Sequence, residues 1–541
     1  MKKISKILAV VLALLMVAGS FAVPVSAAVN PDDTFEGYAT GEKIENGLNR
    51  FLDKLIYGLV KIVNFFMPGI NWTGKWAKIK NYEPVEFYEG EQAFSCAVAD
   101  GARWSMGYAR ASLLDGLDIY DGTYYMAGTL EAFKGRVPTG VVDDQGVTTY
   151  AVSDGSGTVV HAVIDGYGLT RGDVQEIRAR LTNFAMANNI ISINVSVLHQ
   201  HSCIDILGMG VPLVPAILEN PTLTILDKEV VGGKTEKFMK NLYAVTAQSV
   251  IDAVNDMETG SLYFGSVDAS QYIHDKRDPD IIDGNISRLR FVPDDETSSE
   301  IWVCEAGIHC VGLGAGTDRI SGDFPYYIKE YVKAETGADL VWVQGAELAI
   351  TADYTNVKVD PEDTNENARI KAMGYTLGAL ICTIDNDEQL DPVLNIKHSE
   401  VVVKADGQVL ILAVREGLIN SVVAKDGLGY VIISELGYME LGNKVGIFLT
   451  PGEIAPEIFF GGVACKERSW TGTTWDYVPL AENSGMENVI VFGLCNDQIG
   501  YILPDNDYRS ILTQNEEINA ASSTAGSTVT EGFEALLASV K

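Results

Sequence analysis

Two histidines one residue apart, His199 and His201, stand where an apolar run gives way to a polar loop, Ser202 to Asp205. The chain holds only 6 histidines, so two of them are spent at this one point. The run Ile190 to Leu198 reads as a buried strand. Side chains at i and i+2 of a strand share a side, so both imidazoles should emerge together, a natural start for a metal site. His309 closes a second strand-like run, Ile301 to Cys310. A catalytic zinc takes about three protein ligands and keeps one position open. His199 and His309 would supply nitrogen and a carboxylate would complete the set, but spacing alone does not choose among 73 acidic residues. Glu453, in Pro451-Gly452-Glu453 after the strand Lys444 to Leu449, is one candidate. Gly452 would permit the backbone an unusual turn. Taken alone, the tripeptide reads equally as a surface turn with a solvated acid. Gly493 to Tyr501 follows the apolar Val489 to Phe492. Asn496 and Asp497 suit the cap of a strand-to-helix transition, with Tyr501 one turn onward. Read blandly, that is a plain cap and a packing tyrosine. Patterns of the H-E-x-x-H, G-x-S-x-G and Walker A types are absent, and Gly312-Leu-Gly-Ala-Gly316 lacks dinucleotide-loop spacing.

These residues need a scaffold, and the pattern around them alternates strands with helices. Thr158 to Ile164 reads as a strand. Arg171 to Asn188 reads as a helix with Val174, Ile177, Leu181 and Phe184 on one stripe. With the run from Ile190, this is a strand–helix–strand unit, which implies parallel pairing. Glu400 to Val403, Gln408 to Val414 and Gly429 to Ser434 alternate more like antiparallel strands. The expected class is α/β or α+β, a mixed β-sheet with flanking helices forming one large domain over residues 93–512. Residues 28–92 form an N-terminal segment, whose positions 28–43 read as flexible. It contains an amphipathic helix, 44–67, with Leu48, Phe51, Leu52, Leu55, Ile56, Leu59, Ile62, Val63 and Phe66 at helical spacing. Such a helix either packs on the main domain or lies on a lipid surface. Residues 513–541 read as a tail: a Ser/Thr/Ala/Gly-rich linker over 520–531, then a short helix, Glu531 to Val540.

Residues 1–27 read as a secretory signal. Lys2, Lys3 and Lys6 precede an apolar stretch, Ile7 to Val17, and Val25-Ser26-Ala27 offers a small-residue cleavage site. The expectation is a secreted bacterial protein. A formal charge of -33 argues against nucleic acid as a partner and disfavours electrostatic attraction to anionic lipid. The 7 cysteines include no C-x-x-C pair, which excludes a zinc ribbon or thioredoxin-like motif. Several sit in apolar runs and read as buried small hydrophobes, and Cys304 and Cys310 are a candidate pair.

Taken in order, the motifs resemble those of the neutral (non-lysosomal) ceramidase family, which hydrolyses the amide of N-acylsphingosines. Met106 to Ser112 is similar to its opening strand. His199-Gln-His-Ser202 resembles its T-H-T-H-S motif. His309 followed by Ile320-Ser-Gly-Asp-Phe-Pro325 resembles its H-x-T and S-G-D-x-x-G segments. Pro451-Gly-Glu453 resembles P-G-E-x-T, and Gly493 to Ile502 resembles G-x-x-N-x-Y-x-x-Y. The resemblance spans about residues 95–508 and implies one Zn2+ per chain held by His199, His309, Glu453 and Tyr501. It also implies that His201 stabilises or protonates the tetrahedral intermediate, with Tyr501 as a further donor. The substrate implied is an N-acyl lipid or related amide. Departures are specific. Gln344 to Ala349 lacks the Asp and Ser of the family's G-D-x-S-P-N loop, Gln498 replaces a tyrosine, and Ala455 replaces a threonine. Only residues 509–541 follow Tyr508, too few for the family's C-terminal immunoglobulin-like domain. Three functions are therefore compatible with the sequence. One is a zinc-dependent amidohydrolase with altered substrate contacts. Another is a lipid- or glycan-binding surface protein that keeps the fold. The third is a zinc hydrolase of a different bond, such as an ester or a cell-wall amide.

Overall fold

The computed structural model describes residues 40–66, 78–85, 94–129, 134–210, 234–277, 280–406, 419–427, 429–510 and 516–540. The signal segment and the strand expected over 408–414 lie outside these residues. A long helix, α1 (Thr40–Phe66), precedes the main body. It begins inside the stretch 28–43 that sequence read as flexible.

One sheet has nine strands. Its principal members are β1 (Trp104–Ser112), β2 (Gly146–Ser153), β3 (Thr158–Ile164), β4 (Ile190–Val197), β5 (Glu258–Asp268), β6 (Asn285–Pro293), β7 (Ile301–Ala306) and β8 (Asp339–Gln344), in the order β8-β7-β6-β5-β1-β2-β3-β4. Both end pairs, β7 with β8 and β3 with β4, are parallel, and the pairs between them are antiparallel. Each parallel pair needs a crossover, and each has one. Helix α2 (Arg171–Ala187) joins β3 to β4, and α4 (Asp323–Thr336) joins β7 to β8. Helix α3 (Glu236–Asn255) precedes β5.

The second sheet has five strands. Its path runs β9 (Leu394–Lys404), β10 (Gly429–Leu441), β11 (Val445–Leu449), β13 (Asn488–Phe492), with β11 and β13 parallel. Between those last two, β12 (Glu453–Ile454) pairs in parallel with β14 (Tyr501–Ile502).

Burial on both faces explains why these strands read as near-continuous apolar runs. β2 and β3 are buried at every position. One face of the first sheet, with Val147, Val160 and Ile193, packs on α2 and α3. Its other face, with Val152, Val159 and Val163, meets Ile447, Leu449 and Phe492 of the second sheet. His161 sits in that seam, its ring 5.0 Å from Phe492 and its Nε2 2.7 Å from Ser196 Oγ. The far face of the second sheet packs on α5 (Ala525–Val540). The layers thus run helix, sheet, sheet, helix, a mixed α/β domain.

That last helix corrects the tail expected from sequence. Residues 525–531 are not linker but the first turns of α5, with Ala525, Val529, Phe533, Leu536 and Leu537 buried. The small residues there serve close packing: a Cβ on Gly526 would lie 2.0 Å from Leu503 O. All seven cysteines are unpaired, including Cys304 and Cys310.

Candidate metal centre

Strand β4 ends at Val197, two residues before the first histidine. The pleat therefore does not align His199 with His201, as sequence periodicity suggested. Instead His199 adopts a left-handed conformation, φ 52°, that swings its ring under Tyr167. The two rings stack with centroids 4.5 Å apart. His201 and His309 then meet His199 edge to face, at 4.8 and 4.9 Å. His309 lies just beyond β7, where its amide nitrogen bonds Ile350 O at 3.2 Å. Glu453 comes from β12, across the sheet seam. Gly452, at φ 148°, makes the turn before it, and a Cβ there would lie 2.5 Å from Gly500 O.

Each imidazole is held the same way. His199 Nδ1 donates to Tyr167 O at 2.8 Å, His201 Nδ1 to Gly128 O at 3.0 Å, and His309 Nδ1 to Ile350 O at 2.7 Å. A carbonyl oxygen only accepts, so each Nδ1 carries the proton and each Nε2 presents a lone pair. Burial holds His199 and His201 well below the ordinary imidazole range, at about 3, so both rings are neutral near pH 7. The Nε2 atoms of His199 and His201 are buried without a hydrogen-bond partner.

Glu453 Oε2 lies 3.2 Å from His309 Nε2 and 3.4 Å from His199 Nε2. These are contacts between acceptors, unfavourable unless a cation stands among them. Two ligands about 2.0–2.1 Å from a tetrahedral zinc are themselves about 3.3 Å apart, the spacing seen here. Ring nitrogens of all three histidines fall within 4.8 Å of one another, as do a ring nitrogen of His199 and carboxylate oxygens of Glu347 and Glu453. The residues present fit a divalent ion.

The remaining donors are positioned by neighbours. Gln498 Nε2 donates to Glu453 Oε1 at 3.1 Å, so the glutamine at the altered tyrosine position orients the carboxylate. Asn496 and Asp497 do bond free amides, of Val195 and of Arg171 at the start of α2. They do not start a helix of their own, however. The chain from Gly493 to Gly500 is loop, and Tyr501 lies on β14, register partner of Glu453. Glu453 and Tyr501 line one cavity of about 70 Å³ with Tyr167, Leu207, Met209 and Ile419.

Glu347 is the site residue that sequence reading missed. Fully buried beyond β8, it places Oε2 3.6 Å from His309 Nδ1 and accepts from Gln344 Nε2. Burial, then the charge of Glu453, holds its carboxyl well above the usual range. Its signal was available. It follows the apolar strand parallel to the one that delivers His309, so both chains leave the sheet at the same edge.

The chain matches no protein-family model, and no curated protein matches it. Among solved structures it is similar to the neutral ceramidase from Pseudomonas aeruginosa. The TM-score is 0.57 at 14% identity, over 82% of this chain and 74% of that one. A structure described as ceramidase complexed with C2 aligns with TM-score 0.57 at 13% identity, over 81% and 75%. At such identities the likeness is one of fold: the chain has a ceramidase-like fold, as its ordered motifs led one to expect.

Proposed function

We propose that this protein is a secreted, zinc-dependent amidohydrolase that cleaves a linear N-acyl amide, ceramidase-like in its chemistry. The observation that carries the reading is the pair of lone pairs on two Nδ1-anchored imidazoles, His199 and His309, turned toward the carboxylate of Glu453, with the Nδ1-anchored His201 beside them. His199, His309, Glu453 and Tyr501 would hold the ion. Bound zinc would polarise the amide carbonyl and bring the pKa of water toward ~7, giving a nucleophile without serine or cysteine. His201 is the residue assigned to proton transfer. With Nδ1 fixed on Gly128 O, its Nε2 is free to take a proton and pass it to the leaving amine. Tyr501 supplies a hydroxyl on the same wall as Glu453, suited to the charge that grows on the carbonyl oxygen. Leu207, Met209 and Ile419 give the cavity beside Glu453 an apolar side. Residues 1–27 would direct export and be removed.

Protein purified after growth with zinc should contain about one zinc per chain, as a single catalytic site requires. It should hydrolyse members of a fluorogenic N-acyl amide panel, and chelation should stop it. Absence of bound metal would sink the proposal. One observation favours a second reading. Gln498 occupies Glu453 Oε1 where the family resemblance places a tyrosine, and the Gln344–Ala349 loop lacks the family's Asp and Ser. A binding protein for lipid or glycan would follow if the metal is present and the amides bind without turnover.

A further inference from the structure

Helix α1 is amphipathic in the reverse sense of an ordinary surface helix. Among its described side chains Asn46 and Asp53 are the buried ones, and they face the body. Asn46 Nδ2 and Arg50 Nη1 donate to Trp470 O at 3.1 and 3.2 Å, and Ser510 Oγ donates to Asp53 Oδ1 at 3.0 Å. The apolar side chains point outward: Ile44 is 68% exposed, Phe51 60%, Leu48 57%, Leu55 48% and Leu52 37%. At roughly 100° per residue these five fall within an arc about 100° wide, opposite Asn46 and Asp53. A helix held by its polar side, with a continuous apolar stripe outside, is built to bury that stripe in something other than its own domain.

We propose that α1 seats the protein on a phospholipid bilayer, lying in the plane of the interface with the stripe from Ile44 to Leu55 among the acyl chains. Among the described residues no helix is long and apolar enough to cross a membrane, so α1 lies on the bilayer rather than spanning it. Charge selects lipid over a second copy of the chain. Two bodies of formal charge -33 repel each other. Within α1 the balance reverses, with four basic residues against three acidic ones, of which Asp53 is turned inward. Lys43 and Lys54 are exposed on the helix, where they can meet phosphate. The anchor also connects to the metal centre. Arg509 lies over the Trp470 ring at 3.9 Å, and nearby Asp507 pairs with Arg277 at 2.7 Å. The preceding residue, Lys276, donates its backbone amide to Ala349 O at 3.2 Å, in the loop that carries Glu347. The surface proposed to touch lipid is thus built on the same loops that support the site. The inference rests on α1 and holds whether or not the chain hydrolyses amides.

The test is flotation of the exported protein with phosphatidylcholine vesicles, and with vesicles containing phosphatidylglycerol. Wild type should float with phosphatidylcholine, and less well as phosphatidylglycerol is added, since a net charge of -33 opposes an anionic surface. The pair Leu48→Glu and Phe51→Glu should weaken partitioning by ~10-fold or more per side chain withdrawn from the acyl region. Ile44→Gln should give a smaller loss. All three positions are exposed, so the unfolding midpoint and turnover of a water-soluble amide should not move. Wild type remaining in the aqueous fraction overturns the proposal, as does a double variant that floats equally well. A wild-type dimer that the double variant turns into a monomer would assign the stripe to a second copy instead, and would also overturn it.

Discussion

His201 and His199 are two residues apart and alike in tautomer, yet their surroundings separate their tasks. His199 Nε2 faces Glu453 at 3.4 Å, whereas His201 Nε2 faces no carboxylate among its recorded contacts. The expectation is a split of phenotypes. His199→Ala and His309→Ala should each empty the site, read by metal analysis of folded protein. His201→Ala should keep its metal and lose turnover by ~10²–10⁴, the usual worth of a general acid. Equal metal loss in all three would make His201 a ligand. Glu347→Gln keeps the shape but removes a carboxyl group that a bound cation would favour in its ionised form. It should lower zinc affinity about 10–100-fold, measured by chelator competition. The histidines were legible in sequence because their type is rare and their position follows apolar runs. The reason they converge was not legible. It is the left-handed turn at His199, which strand periodicity cannot announce. Glu347 was hidden because one acid among 73 carries no mark until the strands around it are paired.

The two sheets bring the halves of the site together at one joint. Beyond β13 the amide nitrogen of Gly493 bonds Gln344 O at 2.8 Å, just where β8 ends. A Cβ on Gly493 would lie 2.3 Å from Gly345 O, a backbone atom that cannot step aside. Gly493→Ala should therefore pry β13 from β8, carrying the Glu453 side of the site away from His309. The expected cost is about 1–3 kcal/mol in urea unfolding, with zinc affinity falling in the same variant. Full metal affinity would place the joint outside the site's support. Elements with strong periodicity were readable here, β3, α2 and β4 above all, because their apolar spacing is set by burial on known faces. The segments that failed are those whose conformation depends on distant partners. Asn496 and Asp497 cap groups on β4 and α2, far off in sequence, so their cap chemistry was right and the helix expected after them was not. The start of α5 looked like linker because small residues suit both flexible chain and tight helix packing.

Over the molecule as a whole, a chain of formal charge -33 has still buried several acids whose burial outweighs their cationic neighbours, and this fixes how stability answers to pH. Burial pushes Glu457 up to about 8 and Asp275 to about 7. It pushes Asp143, Asp323 and Asp497 to about 6. In the unfolded chain such groups titrate near 4. Between these limits the folded state holds protons that the unfolded state has released, so stability falls as pH rises through the folded values. The buried histidines work with the opposite sign, but lower. His161, His199 and His201, at about 3 when folded, lose stability as pH falls below ~6.5, where the unfolded imidazoles begin to charge. From pH 6.5 to 8.5 only the acids act, and self-repulsion of the negative surface adds to them. The urea midpoint should therefore drop across that interval, with Glu457 alone contributing ~2 kcal/mol. Glu457→Gln removes the titration while keeping the volume. Its unfolding free energy should be flatter than wild type between pH 6.5 and 8.5, and the two curves should diverge most above pH 8. A parallel pair of curves would mean that Glu457 is already ionised in the folded protein, so that its neighbours, Arg277 among them, outweigh its burial.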